Sequence, residues 1–163
     1  MKKIVVLSIL GLLGIVSSCG SDKTNQDQSA TSEGAKTETS SSNENPSYDP
    51  KRGEGKFEDV EIDEKLNVQL ADAGLKTYDV KCSSCHKLTD ERLVGPGFSG
   101  VTIRRQPEWI MNFITNPDAM IDKDPEAQAM LEICLVRMPN QSLTDEDARG
   151  LLEFMRKNDG VKP

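Results

Sequence analysis

Five consecutive positions hold most of this chain's chemistry: Cys82-Ser83-Ser84-Cys85-His86. Two thiols three residues apart, followed at once by an imidazole, suit three kinds of chemistry. A dithiol redox pair normally follows a strand and opens a helix. A structural zinc site needs four ligands, and no second Cys/His pair exists in the chain to complete one. The third option is covalent haem: two thioethers reach two vinyl positions on one edge of a porphyrin, and the histidine after the second cysteine lies under the ring and ligates iron. Here the pair closes a predicted helix and leads into a loop, which favours haem.

His86 is the only histidine. Bis-histidine ligation within one chain is therefore ruled out, and the second axial position belongs to a methionine, to another donor, or to none. Beyond the initiator the methionines are Met111, Met120, Met130, Met138 and Met155. Met111 and Met155 lie in helical apolar patterns and read as core. Met120 follows a loop and competes for the ligand position. Met138 lies between helices in Arg137-Met138-Pro139-Asn140, where the proline stiffens the backbone beside the thioether.

The elements that must position these groups are helices. Phe57, Val60 and Ile62 alternate with polar residues and predict an extended stretch lying on the domain. A helix over Lys65–Lys81 follows, with Asp63 as N-cap and Val68, Ala71, Leu75 and Tyr78 on its apolar face. Gly95-Pro96-Gly97 is a loop. Pro107 opens a helix carrying Trp109, Ile110, Phe113 and Ile114, and Pro117 ends it. Pro125–Val136 predicts another helix. Thr144 and Asp147 stand at capping-box spacing before a last helix with Leu151, Leu152, Phe154 and Met155. No strand-period segment of useful length follows Asp63, so the folded part is all-α. Cys134, in the apolar run Leu131-Glu132-Ile133-Cys134-Leu135, reads as a buried thiol acting as a small hydrophobe; an intermolecular disulfide is the alternative.

Upstream, Lys2 and Lys3 precede an apolar run from Ile4 to Val16. The run is too short to span a bilayer but fits the apolar region of a secretory signal. Val16-Ser17-Ser18-Cys19 resembles the lipobox of bacterial lipoproteins, which implies cleavage after residue 18 and a lipid on Cys19, in a cell envelope with the folded part facing the periplasm. Gly20 to about Pro50 is a polar tract without apolar periodicity, read as a disordered tether with a reach on the order of 30 Å. The expected organisation is thus a signal peptide over 1–18, lipidated cysteine and tether over 19–50, and one domain over 51–163. The net charge of −7 argues against nucleic acid as a partner. It suits electrostatic steering toward another protein.

From Gly74 to Lys157 the chain resembles class I cytochrome c. The matching residues are Gly74 and Tyr78 before CSSCH, Val94-Gly95-Pro96-Gly97-Phe98 after it, Met138-Pro139, and Leu151-Leu152-Glu153-Phe154. The resemblance implies a small helical bundle around one haem c held by Cys82 and Cys85, with His86 proximal and Met138 distal. It implies that the Pro96 carbonyl accepts the His86 Nδ1 proton, and that Gly74 lets the first helix cross the last one closely near Phe154. Trp109, Arg104 and Arg105 become candidates for haem contact at the propionates. A six-coordinate haem implies a monomeric one-electron carrier without catalysis of its own, between a membrane quinol-oxidising complex and a periplasmic reductase or terminal oxidase. The alternative is a five-coordinate haem with peroxidase or gas-sensing activity, should Met138 not bind. A purely structural lipoprotein is the third.

Overall fold

A computed structural model describes residues 48–163. The signal peptide, Cys19 and the tether as far as residue 47 lie outside the described residues. Among the described residues there are six helices and no strand. They are α1 (Val68–Lys81), α2 (Val101–Arg104), α3 (Pro107–Thr115), α4 (Pro117–Lys123), α5 (Pro125–Cys134) and α6 (Asp145–Asn158).

The two longest helices, α1 and α6, form the principal packing pair. They approach through glycines, because a Cβ on Gly74 would lie 2.0 Å from the Gly150 carbonyl oxygen. The crossing is therefore centred on Gly150, one turn before Phe154. The core assembles on α6, whose Leu151 and Leu152 are almost wholly buried. Burial of each is worth about 1.5–3 kcal/mol. Tyr78 of α1 packs on Phe154 of α6 at 5.2 Å between ring centroids. The expected capping box at the start of α6 is formed: Asp147 N–H donates to Thr144 Oγ1, and Thr144 N–H donates to Asp147 Oδ2, each at 3.1 Å.

Several boundaries differ from the sequence expectation. Helix α1 starts at Val68, capped by Asn67, whose side chain accepts the Leu70 N–H, and not by Asp63. Asp63 and the residues around it serve α6 instead. The Asp63 carbonyl accepts from Arg156, and Glu61 O accepts from Arg149 at 3.4 Å. Both guanidiniums also pair with the buried carboxylate of Glu153. Leu75, placed on the apolar face, is exposed, and Gly74 takes the contact position. Helix α5 ends at Cys134 and not at Val136, because Leu135 adopts a left-handed conformation (φ 59°).

The extended stretch around Phe57 is irregular coil pinned by one buried side chain. Asn112 accepts the Phe57 N–H (2.9 Å) and donates to the carbonyls of Phe57 (2.9 Å) and Arg52 (3.1 Å). Tyr48, expected in the tether, hydrogen-bonds Asp124 and so lies on the domain.

Candidate functional site

Helix α1 ends in the motif. Cys82 N–H closes the last helical turn on Tyr78 O (2.9 Å), and the N–H groups of Cys85 and His86 both return to Cys82 O. This tight turn brings both thiols and the imidazole to one side. The loop then folds back: Cys85 O accepts from Val94 (3.2 Å) and Gly95 (2.9 Å). That places Pro96 O 2.8 Å from His86 Nδ1. A carbonyl only accepts, so Nδ1 carries the proton and Nε2 is left with its lone pair. Burial lowers the His86 pKa from its ordinary value, opposed by the Pro96 hydrogen bond, so the imidazole is neutral at pH 7.

The glycines of this loop are spatial requirements. A Cβ on Gly95 would fall 2.3 Å from His86 Cε1, and one on Gly97 would fall 2.0 Å from Thr89 O. Phe98 lies against the imidazole at 4.9 Å, and the Tyr78 hydroxyl donates to His86 O at 2.7 Å. The histidine is held from three sides.

Cys82, Cys85 and His86 border a cavity of about 370 Å³ whose wall is mostly apolar. This size is typical of cofactor sites. The same cavity is bordered by Trp109, Ile110 and Phe113 of α3, Met130 and Cys134 of α5, Met138 with Pro139 on the following loop, and Leu151 and Met155 of α6. Met120 does not border the cavity. It is wholly buried in α4, and its sulfur accepts the Glu54 N–H at 3.0 Å. Met130 does border it, which the sequence reading left unassigned. Its position four residues before Cys134, on the same face of α5, was the available signal.

Two expectations change here. Cys134 is not packed in the core; it is half-buried and forms part of the cavity wall. The Trp109 N–H, offered for a propionate, is committed to Asp124 Oδ2 at 3.0 Å. Trp109 keeps its place in the wall by packing, stacked on Phe113 at 5.1 Å with the Arg105 guanidinium 4.6 Å from its ring centroid. Arg105 is paired with Glu126 at 2.7 Å, while Arg104 donates to Ser99 O at 2.7 Å. Both arginines border the cavity.

The thiols bear on the dithiol reading. Burial pushes the Cys82 pKa up to about 11, with Lys81 opposing and Cys85 adding to the rise. A nucleophilic cysteine of a redox pair needs the opposite shift. The donor set fits covalent haem instead: two thiols, an imidazole and a methionine all border one apolar cavity, with glycines where a Cβ would collide with the imidazole or its loop.

The family model described as "Cytochrome c" matches residues 71–159. Among solved structures, the chain is similar to a cytochrome c from Rhodothermus marinus at 34% identity over 64% of this chain and 90% of that one, with a TM-score of 0.62. It is similar to an engineered cytochrome c from the same organism at 33% identity, with the same coverage and TM-score. A third structure, that engineered protein bound to a carbene intermediate, gives 33% identity, the same coverage and a TM-score of 0.59. Nothing among curated proteins matches the chain.

Proposed function

Because the chain belongs to the cytochrome c family, and so is a monohaem electron-transfer protein with one covalent haem c, we propose that it shuttles single electrons between a membrane quinol-oxidising complex and a periplasmic reductase or terminal oxidase while tethered through a lipid on Cys19. The haem supplies a one-electron couple. Cys82 and Cys85 hold it as thioethers. His86 would bind iron through Nε2, with Pro96 O keeping the ring in the required tautomer and raising its basicity. Met138, on the border of the same cavity, would supply the thioether ligand, which favours the reduced metal.

One observation carries this reading. His86 Nδ1 is engaged by Pro96 O at 2.8 Å beside a cavity bordered by Cys82, Cys85 and Met138. The imidazole is thus preorganised as a ligand. With His86 and Met138 both engaged, the iron would offer no vacancy to peroxide or a gas, which supports the role of a carrier. The apolar wall supports it by excluding water.

The tether reading rests on Cys19 and the polar tract, and it places the domain in the periplasm as a monomer within reach of membrane complexes. The test is export of the full chain in a cell with haem-maturation machinery. The membrane fraction should hold a red protein whose ferric form shows the weak near-infrared band of sulfur–iron ligation and does not bind carbon monoxide readily when reduced. Cys19→Ser should move it to the soluble fraction. A colourless product, or a high-spin haem open to carbon monoxide, overturns the carrier reading. Membrane retention of Cys19→Ser overturns the tether.

A further inference from the structure

Two carboxylates are buried in the folded domain, and they are treated differently. Glu153 is 1% exposed and paired with two guanidiniums, Arg149 at 2.6 Å and Arg156 at 2.7 Å. Asp124 is 0% exposed and, among the described residues, makes no ion pair. Its partners are neutral donors: Trp109 Nε1–H on Oδ2 (3.0 Å), Ala127 N–H on Oδ1 (2.8 Å), and the Tyr48 hydroxyl on Oδ2. Indole and amide N–H groups only donate, and they occupy both oxygens, so the carboxylate acts only as an acceptor. Burial and the Asp124 carboxylate push the Tyr48 pKa well above the usual phenol range, so Tyr48 remains a donor. The Arg105 guanidinium over the Trp109 ring is paired with Glu126.

A buried negative charge with no counter-charge is costly. This one lies directly behind Trp109, and Trp109 is part of the wall of the haem cavity. We infer that Asp124 is an internal charge acting on the haem from behind that wall, a positioning and tuning residue that stabilises the ferric state and lowers the reduction potential. The inference rests on the haem reading above. The iron–porphyrin core carries one more positive charge when oxidised, so a fixed anion in a low-dielectric wall favours that state. Tyr48, 76 residues upstream, reaches this charge, and its hydroxyl partly screens the carboxylate.

The experiment is a redox titration of the purified holoprotein against a fixed one-electron donor. Asp124→Asn keeps the shape and the acceptor for Ala127 and removes the charge. The electron-exchange equilibrium should move toward the ferrous protein by roughly tenfold, the size expected of one charge in a partly screened interior. Glu64→Gln removes an exposed charge and serves as the control, since solvent screens it. If Asp124→Asn moves the equilibrium no more than Glu64→Gln, while remaining red with its sulfur–iron band intact, the inference is overturned. If Asp124→Asn does not mature, Tyr48→Phe decides. It removes a neutral donor and leaves the charge, so the equilibrium should move toward ferric; no shift, or a shift toward ferrous, overturns the inference. A colourless wild-type protein would instead sink the haem reading itself.

Discussion

Gly74 of α1 stands against Gly150 of α6 in a one-sided contact. A Cβ on Gly74 would fall 2.0 Å from the Gly150 carbonyl oxygen, whereas a Cβ on Gly150 would meet nothing closer than 3.2 Å. Each Gly→Ala change gains about 1 kcal/mol of helix propensity. At Gly74 the helices must separate, which costs more than that gain. Gly74→Ala should destabilise the holoprotein by about 2 kcal/mol, and Gly150→Ala should stay within about 1 kcal/mol of wild type. Denaturant midpoints check this; equal effects at the two sites would contradict the geometry.

Met138 and Met120 should separate cleanly by spectroscopy and stability. Met138→Ala should abolish the sulfur–iron band with a modest change in stability, because Met138 is half-buried beside the cavity. Met120→Ala should keep the band and cost about 2–5 kcal/mol, because Met120 is fully enclosed. If Met138→Ala keeps the band, Met130 is the next sulfur to replace, since it borders the same cavity.

Gly95→Ala would push a methyl group into the imidazole, 2.3 Å from Cε1 and 2.8 Å from Nδ1. The ring must tilt away and loosen its bond to Pro96. The expected result is a lower haem-to-protein ratio in the exported material and a loss of about 1–3 kcal/mol in the fraction that matures. Normal haem content with unchanged stability would show that the loop yields without cost.

The capping box gives a pH dependence. The Asp147 pKa lies below its ordinary 3.8, chiefly because Thr144 donates to it through its backbone N–H and then its hydroxyl. A depressed carboxyl pKa contributes stability that is present above the ordinary value and is lost as pH falls through the folded one. Asp147→Asn should therefore lower stability at neutral pH and flatten its decline below about pH 4. Thr144→Ala should cost about 1 kcal/mol at neutral pH. Parallel acid profiles for wild type and Asp147→Asn would rule the contribution out.

The local signals in the sequence were strong where they depend on neighbours in the chain. Pro107, the Thr144/Asp147 pair and the CxxCH turn act over fewer than five residues, and each appears where its spacing put it. The signals failed where two segments compete for one partner. Asp63 is a good N-cap by type, but Arg156 claims its carbonyl, and Asn67 caps α1 instead. Leu75 fits a helical stripe, but the close approach to Gly150 gives that contact to Gly74.

What the sequence by itself determined is the chemistry: a thiol pair and one imidazole at haem spacing, a single histidine that forbids bis-histidine ligation within the chain, and an all-α pattern to carry them. Covalent spacing and residue counts survive any folding, so they can be read from the chain alone. Which methionines border the cavity, that Cys134 faces it, that the Trp109 N–H turns away to Asp124, and that Tyr48 belongs to the domain were decided only by tertiary structure. Each depends on atoms brought together from distant parts of the chain by packing around α6, and no local pattern encodes those distances.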